Sequence, residues 1–459
     1  MKKVAIIFIL LFVSACDKPN DKNIIVKNDN NVFVCPHSVN TYIESYYDED
    51  NNLSAKKIYK AVYEDKTDIV DSSYFLRLED KCINKTKFFN KDDYYGDYNL
   101  LAPLDQNKIF LFDMEGNVLS SWNTEFLPTN DVFIMPDGRF LGLFNNKQNT
   151  FDPMAGQGGT MQIIDGDGQV DWNFDYYSET YTTHHDIELL PNGNILALVW
   201  NSRPVEEVKD LDFTMSSDVD FTSGVWFEKI IEINPENDDI VWQWDSFDHL
   251  GLEKNKIDIN GKGNGRKPGD IMHANGLTYD KNKDLIFMTV NGFSEVWVID
   301  HSTDTAEAAS SQGGYYNVGG DLLYRFGSDV FHSVHGPSLL DNGNLLVFSN
   351  GNRKDEHPMS TVYEIKLPDD FLSGQNIDIV WSYSNPDLYS AYISGAIRLP
   401  NGDTLIAEGD FGLWEINEDK DIVWQYAYHP LDPSQARFGG VWRPYRYTKN
   451  SQEIINLNL

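Results

Sequence analysis

Three histidines stand in matching places along this chain. His185 lies six residues before the turn that begins at Pro191, and His335 lies six before the turn at Asp341. His273, with Asn275 two residues on, precedes a third turn of the same kind, "DKNKD", which is one residue longer. Counting back six from two further turns of this kind lands on Asn130 and Ser394. The chain has ten histidines in 459 residues, so three at one register point to a shared site. Grouped neutral imidazoles support three kinds of chemistry: metal binding, proton shuttling, and nucleophilic attack with clamping of the developing charge. The sequence contains no HExxH, no paired cysteine ligands and no G-x-S-x-G, so zincin and serine-hydrolase chemistry lack support. A metal-dependent hydrolase with His184, His185, His273 and His335 as ligands stays open as an alternative.

The elements that must position these residues recur from Gly96 onward. One unit is an apolar run, a polar turn and a second apolar run: "DVFIMPDGRFLGLF", "DIELLPNGNILALVW", "GLTYDKNKDLIFMTV", "PSLLDNGNLLVFSN" and "GAIRLPNGDTLIAEG". Asn-Gly or Asp-Gly supplies the positive φ of a hairpin turn in four of the five. A second hairpin follows each, as in "IIEINPENDDIVWQWD" and "LWEINEDKDIVWQY". Two hairpins make a four-stranded antiparallel sheet, and such sheets repeated around an axis are β-propeller blades. A sixth blade forms if strands in "YNLLAPLDQNKIFLFDMEGNVLSSW" join one from "GGVWRPYRYT" near the C-terminus, which closes the ring without a free edge. The fold expected is therefore all-β, a six-bladed propeller. A ring brings equivalent inner-strand positions around one axis, and this makes the histidine register meaningful. The strand aromatics are expected between blades rather than as a binding platform.

The formal charge of −34 argues against nucleic acid or an anionic membrane surface as partner. The N-terminus, "MKKVAIIFILLFVSAC", has a basic start and an apolar run too short to span a bilayer comfortably. It ends in a motif that resembles a bacterial lipobox, which makes Cys16 the lipidated residue and the protein an exported, periplasmic or cell-envelope lipoprotein. Residues 1–15 are then a signal peptide and 16–30 a polar tether. Residues 31–95 form a small β-rich extension with a short helix expected around Ala55 to Tyr63, and 96–450 form the propeller. Cys35 and Cys82 are expected to pair, as an exported protein permits.

The runs "THHDIELLPNGNILALVW", "IVWQWDSFDHL", "HANGLTYD", "SEVWVIDHSTDT", "GGDLLYRFG", "SGAIRLPNGDTLIAEG" and "VWRPYRY" occur in this order. Together they resemble the bacterial aryl-sulfate sulfotransferase family over about residues 94–447. The resemblance implies a six-bladed propeller that moves a sulfuryl group from a phenolic sulfate ester to a phenol. It implies no nucleotide sulfate donor, no cofactor and no metal. It makes His335, in "VHGP", the transiently sulfurylated nucleophile. His273 and Asn275 fall on the family's HxN, and His185, or its neighbour His184, on its HHD. The chain departs from the pattern in one place, which keeps open as an alternative a catalytically altered propeller that binds aryl sulfates or acts as a scaffold. Asn291, in "TVNGFSEVW", stands where many members carry an arginine, whose guanidinium would hold sulfate oxygens. Arg353, in "SNGNR", is a candidate to supply that charge from elsewhere, and Ser394 is a candidate substrate contact by register.

Overall fold

In the computed structural model, the described residues are most of 94–458, together with the strand segments 26–28, 31–33, 42–43, 58–63, 66–70 and 85–90. Within 94–458 the description omits 105, 152–153, 212, 215–223, 263–268, 356–357, 410–411 and 428–439. Cys16, Cys35 and Cys82 lie outside the described residues, as do the signal peptide and nearly all of the tether.

The hairpins pair as the repeats require. Blade one is Leu127–Ile134, Phe140–Asn145, Gly159–Ile164 and Val170–Asp175. Blade two is Tyr181–Leu189, Ile195–Arg203, Val225–Asn234 and Asp239–Asp245. Blade three is Ala274–Asp280, Leu285–Val290, Glu295–Asp300 and Tyr324–Phe326. Blade four is Val334–Leu339, Leu345–Ser349, Thr361–Lys366 and Asp378–Ser384. Blade five is Gly395–Arg398, Thr404–Glu408, Gly412–Ile416 and Ile422–Ala427. Blade six takes Tyr445–Tyr447 as its inner strand beside Tyr98–Leu101, Lys108–Asp113 and Val118–Asn123. The strands that open and close the propeller thus share one sheet, and six blades close the ring.

The region before the propeller differs from expectation in two ways. Ile58–Tyr63 is a strand, not the short helix expected there; it pairs with Lys66–Val70. Its β-branched residues and tyrosines suit a strand better than a helix. Lys85–Phe89 adds to the outer edge of blade five as a fifth strand, against Ile422–Ala427.

Packing follows from the layering. The second strand of each of blades one to five has neighbours on both faces, so Ile195–Trp200, Leu285–Val290 and Thr404–Glu408 are buried throughout. Outermost strands meet solvent and alternate, as in Val170–Asp175. The six main apolar clusters each join two adjacent blades. Fourth-strand tryptophans staple blades six, one, two and five each to the next. Trp122 donates to Gly166 O at 2.7 Å, Trp172 to Asp238 Oδ1 at 2.7 Å, Trp242 to Thr303 Oγ1 at 3.2 Å and Trp424 to Met114 O at 2.8 Å. In blade four, Trp381 instead carries Arg398 of blade five over its ring at 4.7 Å. The aromatics therefore serve the blade interfaces, and a rigid ring fixes what lies on its axis.

Candidate active site

The shared register has a backbone signature. The inner strands of blades one to four each carry an irregularity where they start. Residues there sit in the left-handed region: Asn130 at φ 72°, His185 at 54°, His273 at 52°, Gly336 at 52° and, in blade five, Ser394 at 94°. Such a conformation costs a non-glycine residue about 1–2 kcal/mol, and Asn and His tolerate it better than most. In blade four the left-handed residues are Ser333, two before His335, and Gly336, one after it. A Cβ at Gly336 would lie 2.7 Å from Gly395 Cα and 2.8 Å from Ser394 O, so the neighbouring inner strand also demands glycine there.

His335 is held by its own blade. Its Nδ1 faces Asn350 Oδ1 in a short contact and lies 3.1 Å from Ser333 O. The Asn350 amide nitrogen donates to Ser390 O and Ile393 O, both at 2.9 Å, which fixes its oxygen toward the imidazole. Two acceptors face Nδ1, so Nδ1 carries the proton and Nε2 carries the lone pair. The strand before it is pinned from blade three. Asn275 donates to Val334 O at 2.9 Å and accepts from Thr289 Oγ1 at 2.7 Å. Asn291 donates to Ser333 Oγ at 3.0 Å and Val334 O at 3.3 Å. Both asparagines thus grip the residues next to His335.

The other histidines form a buried group. The rings of His185 and His273 are 4.9 Å apart, edge to face. His273 Nδ1 lies 2.8 Å from Asp270 Oδ2, the arrangement that orients an imidazole. His184 is fully buried behind His185, with the two Nδ1 atoms 2.9 Å apart and His184 Nε2 3.0 Å from Glu228 Oε2. His184 also stacks on Trp200 at 4.0 Å. Burial, with the nearby His273, holds its pKa well below the ordinary value, so the ring is neutral. Gly156 makes room for this group, because a Cβ there would come within 2.3 Å of the His185 ring.

Trp442 connects the two halves. Its ring lies 5.5 Å from that of His335 and 6.0 Å from that of His185. Its Nε1 is buried without a hydrogen-bond partner among the described residues, and so is Asn130 Nδ2 at the matching register of blade one. Buried donors without acceptors are rare, and two of them at this axis are what an anionic ligand would satisfy.

Cationic help is arranged differently from expectation. Arg443, next to Trp442, is spent on Asp186 at 2.8 Å and Asp131 at 3.2 Å, and it also reaches Leu277 O at 3.2 Å, tying blades one, two, three and six. Burial opposes its charge, but Asp186 and Asp131 hold the guanidinium protonated. Arg353 is exposed, donates to Ala391 O at 2.5 Å and lies 3.8 Å over the Tyr392 ring. Lys262, from the segment before blade three, reaches over the turn Asn291–Phe293, with Nζ 3.6 Å from the Phe293 ring and 3.5 Å from Gly292 O. Ser394 is buried and donates to Tyr392 O at 3.4 Å. No three His, Cys, Asp or Glu side chains among the described residues are arranged to hold a metal ion.

Sequence reasoning missed Asn350, Asp270, Glu228 and the role of Trp442. Asp270 precedes His273 by three residues and could have been noticed. Glu228, inside "VWFEKIIEIN", reads as an ordinary strand residue.

The sequence model of the arylsulfotransferase (ASST) family matches residues 88–429. No curated protein matches the chain. Among solved structures, a protein of unknown function from Bacteroides caccae is 16% identical, with a TM-score of 0.47, covering 77% of this chain and 100% of its own. BamB from Moraxella catarrhalis is 9% identical, with a TM-score of 0.32, covering 76% of this chain and 92% of its own.

Proposed function

The chain belongs to the arylsulfotransferase family, whose general activity is aryl sulfotransfer, and from that premise we propose a two-step transfer through His335. The observation that carries the proposal is the Asn350 contact, which leaves the His335 lone pair on Nε2. A neutral imidazole with that tautomer is a competent nucleophile near neutral pH. In the first step Nε2 attacks the sulfur of a phenolic sulfate ester, the N–S bond forms and the S–O bond to the phenol breaks. His185 gives a proton to the departing phenolate. In the second step a phenol acceptor gives its proton back to His185, its oxygen bonds to the sulfur, and the N–S bond breaks to return the lone pair to His335 Nε2. Charge on the sulfuryl oxygens, which is spread as in phosphoryl transfer, is met by His273 and by the N–H groups of Trp442 and Asn130. Asn275 and Asn291 act by holding Ser333 and Val334. The scheme uses neutral donors where an arginine was expected.

The same proposal includes export with lipid anchoring at Cys16, and pairing of Cys35 with Cys82. The test is transfer from a chromogenic aryl sulfate to a phenol by the purified protein. Wild type should turn over with ping-pong kinetics and be unaffected by chelator, and His335→Ala should not turn over. Full activity in His335→Ala would refute it. Aryl sulfate bound without turnover would select a binding propeller instead.

A further inference from the structure

Resting on that reading, we propose that Glu228, through His184, is the proton store for His185. The geometry is a single buried line. Glu228 Oε2 lies 3.0 Å from His184 Nε2, and His184 Nδ1 lies 2.9 Å from His185 Nδ1. Both Glu228 and His184 are fully buried, and His185 is 4% exposed. The other Glu228 oxygen, Oε1, accepts from Ala274 N at 2.8 Å, so a proton on this carboxyl belongs on Oε2.

Each contact in the line needs one hydrogen, so with His184 neutral the line has two self-consistent arrangements. In one, Glu228 Oε2–H donates to His184 Nε2, His184 Nδ1–H donates to His185 Nδ1, and His185 carries its proton on Nε2. In the other, Glu228 is ionised, His184 holds its proton on Nε2, and His185 donates from Nδ1 and has its lone pair on Nε2. The first arrangement makes His185 an acid and the second makes it a base. Burial raises the Glu228 pKa well above the ordinary value, which favours the first arrangement at rest, and it lowers that of His184, whose ring is neutral in both.

The transfer step then balances. The leaving phenolate takes the proton from His185 Nε2, His185 Nδ1 takes one from His184 Nδ1, and His184 Nε2 takes one from Glu228. A negative charge leaves the ester and appears on Glu228, while His335 becomes an N-sulfo-imidazolium of zero net charge. The acceptor phenol reverses every proton move. His184 and Glu228 are positioning residues in this account, since neither touches the substrate.

Glu228→Gln separates this role from a structural one. Its amide oxygen must stay opposite Ala274 N–H, so its amide nitrogen donates to His184 and locks the first arrangement. In the first half-reaction, followed without acceptor, the variant should release strongly acidic phenols at near wild-type rate. It should lose about a hundredfold or more with weakly acidic ones, the usual worth of a general acid. An equal loss across the donor series, or no loss, overturns the proposal. Infrared spectroscopy reads the same store in wild type. A protonated-carboxyl band should fade as aryl sulfate is added without acceptor, return with phenol, and show no such change in Glu228→Gln. Release of a weakly acidic phenol with no fading of that band also overturns the relay. A wild type that releases no phenol with any donor overturns the sulfotransfer reading, a result distinct from the other two.

Discussion

Asn350 is the residue whose replacement tests the nucleophile most sharply. Its oxygen faces His335 Nδ1, and its amide nitrogen bonds to Ser390 O and Ile393 O at 2.9 Å. Asn350→Leu fills similar volume with no polar atom. Ser333 O, at 3.1 Å, is then the acceptor left opposite Nδ1, so the bias toward the Nδ1–H tautomer falls by one hydrogen bond, about 0.5–1.5 kcal/mol. At about 1.4 kcal/mol per factor of ten, the tautomer ratio should shift about two- to tenfold, and the rate should drop by up to that factor through the nucleophile population alone. Two buried carbonyls also lose their donor, which costs stability by about 1–3 kcal/mol each. Asn350→Asp keeps an acceptor opposite Nδ1 but loses the amide donors. It should therefore share the loss of thermal stability while keeping more of the rate. The assay is kcat for aryl sulfate transfer beside the melting temperature of each variant. If a folded Asn350→Leu keeps the wild-type rate, or if the two variants lose rate equally, the tautomer argument is wrong.

Trp442→Phe keeps an aromatic ring beside His335 and removes the buried N–H; if that donor meets the sulfuryl oxygens, kcat should fall about a hundredfold with little change in melting temperature. His301 bridges blades two and three, with Nε2 3.0 Å from Glu232 Oε2 and Nδ1 2.7 Å from Asp284 Oδ1. Burial opposes its charge, but the hydrogen bonds to Glu232 and Asp284 win and raise its pKa above 6.5. Its contribution to stability is full below the unfolded value and is lost as pH rises through the folded one. Burial likewise works against the Glu232 carboxylate, but hydrogen bonds from His301, Asn194 and Asn192 lower its pKa below 4.5, so its contribution is lost as pH falls through the folded value. Melting curves against pH should show the wild-type advantage over His301→Gln shrinking as pH rises past that window, and a constant difference would contradict the tie.

Much of this fold was legible because its repeats are local. Asn-Gly and Asp-Gly turns between apolar runs fix hairpins without reference to the rest of the chain, and ring closure followed from the strands left over at each end. The axis register was legible for the same reason, and the left-handed φ of Asn130, His185 and Ser394 supports the count of six from each turn. Blade four shows its limit. The left-handed residues there are Ser333 and Gly336, so His335 is placed by a glycine that follows it and by Asn350 just past the end of the next strand. Glu228 and Trp442 were not assignable, since a buried glutamate on a third strand and a tryptophan beside an inner strand have no local pattern that marks them. The strand Lys85–Phe89 was equally opaque, because nothing in five residues names the distant edge they pair with.

The central claim is that His335 carries the sulfuryl group between the two half-reactions. Protein incubated with an aryl sulfate and no acceptor, then digested and analysed by mass spectrometry, should show one added SO3 group on the peptide containing His335, and a phenol should remove it. Turnover with that peptide unmodified, or with the group on another residue, would contradict the account.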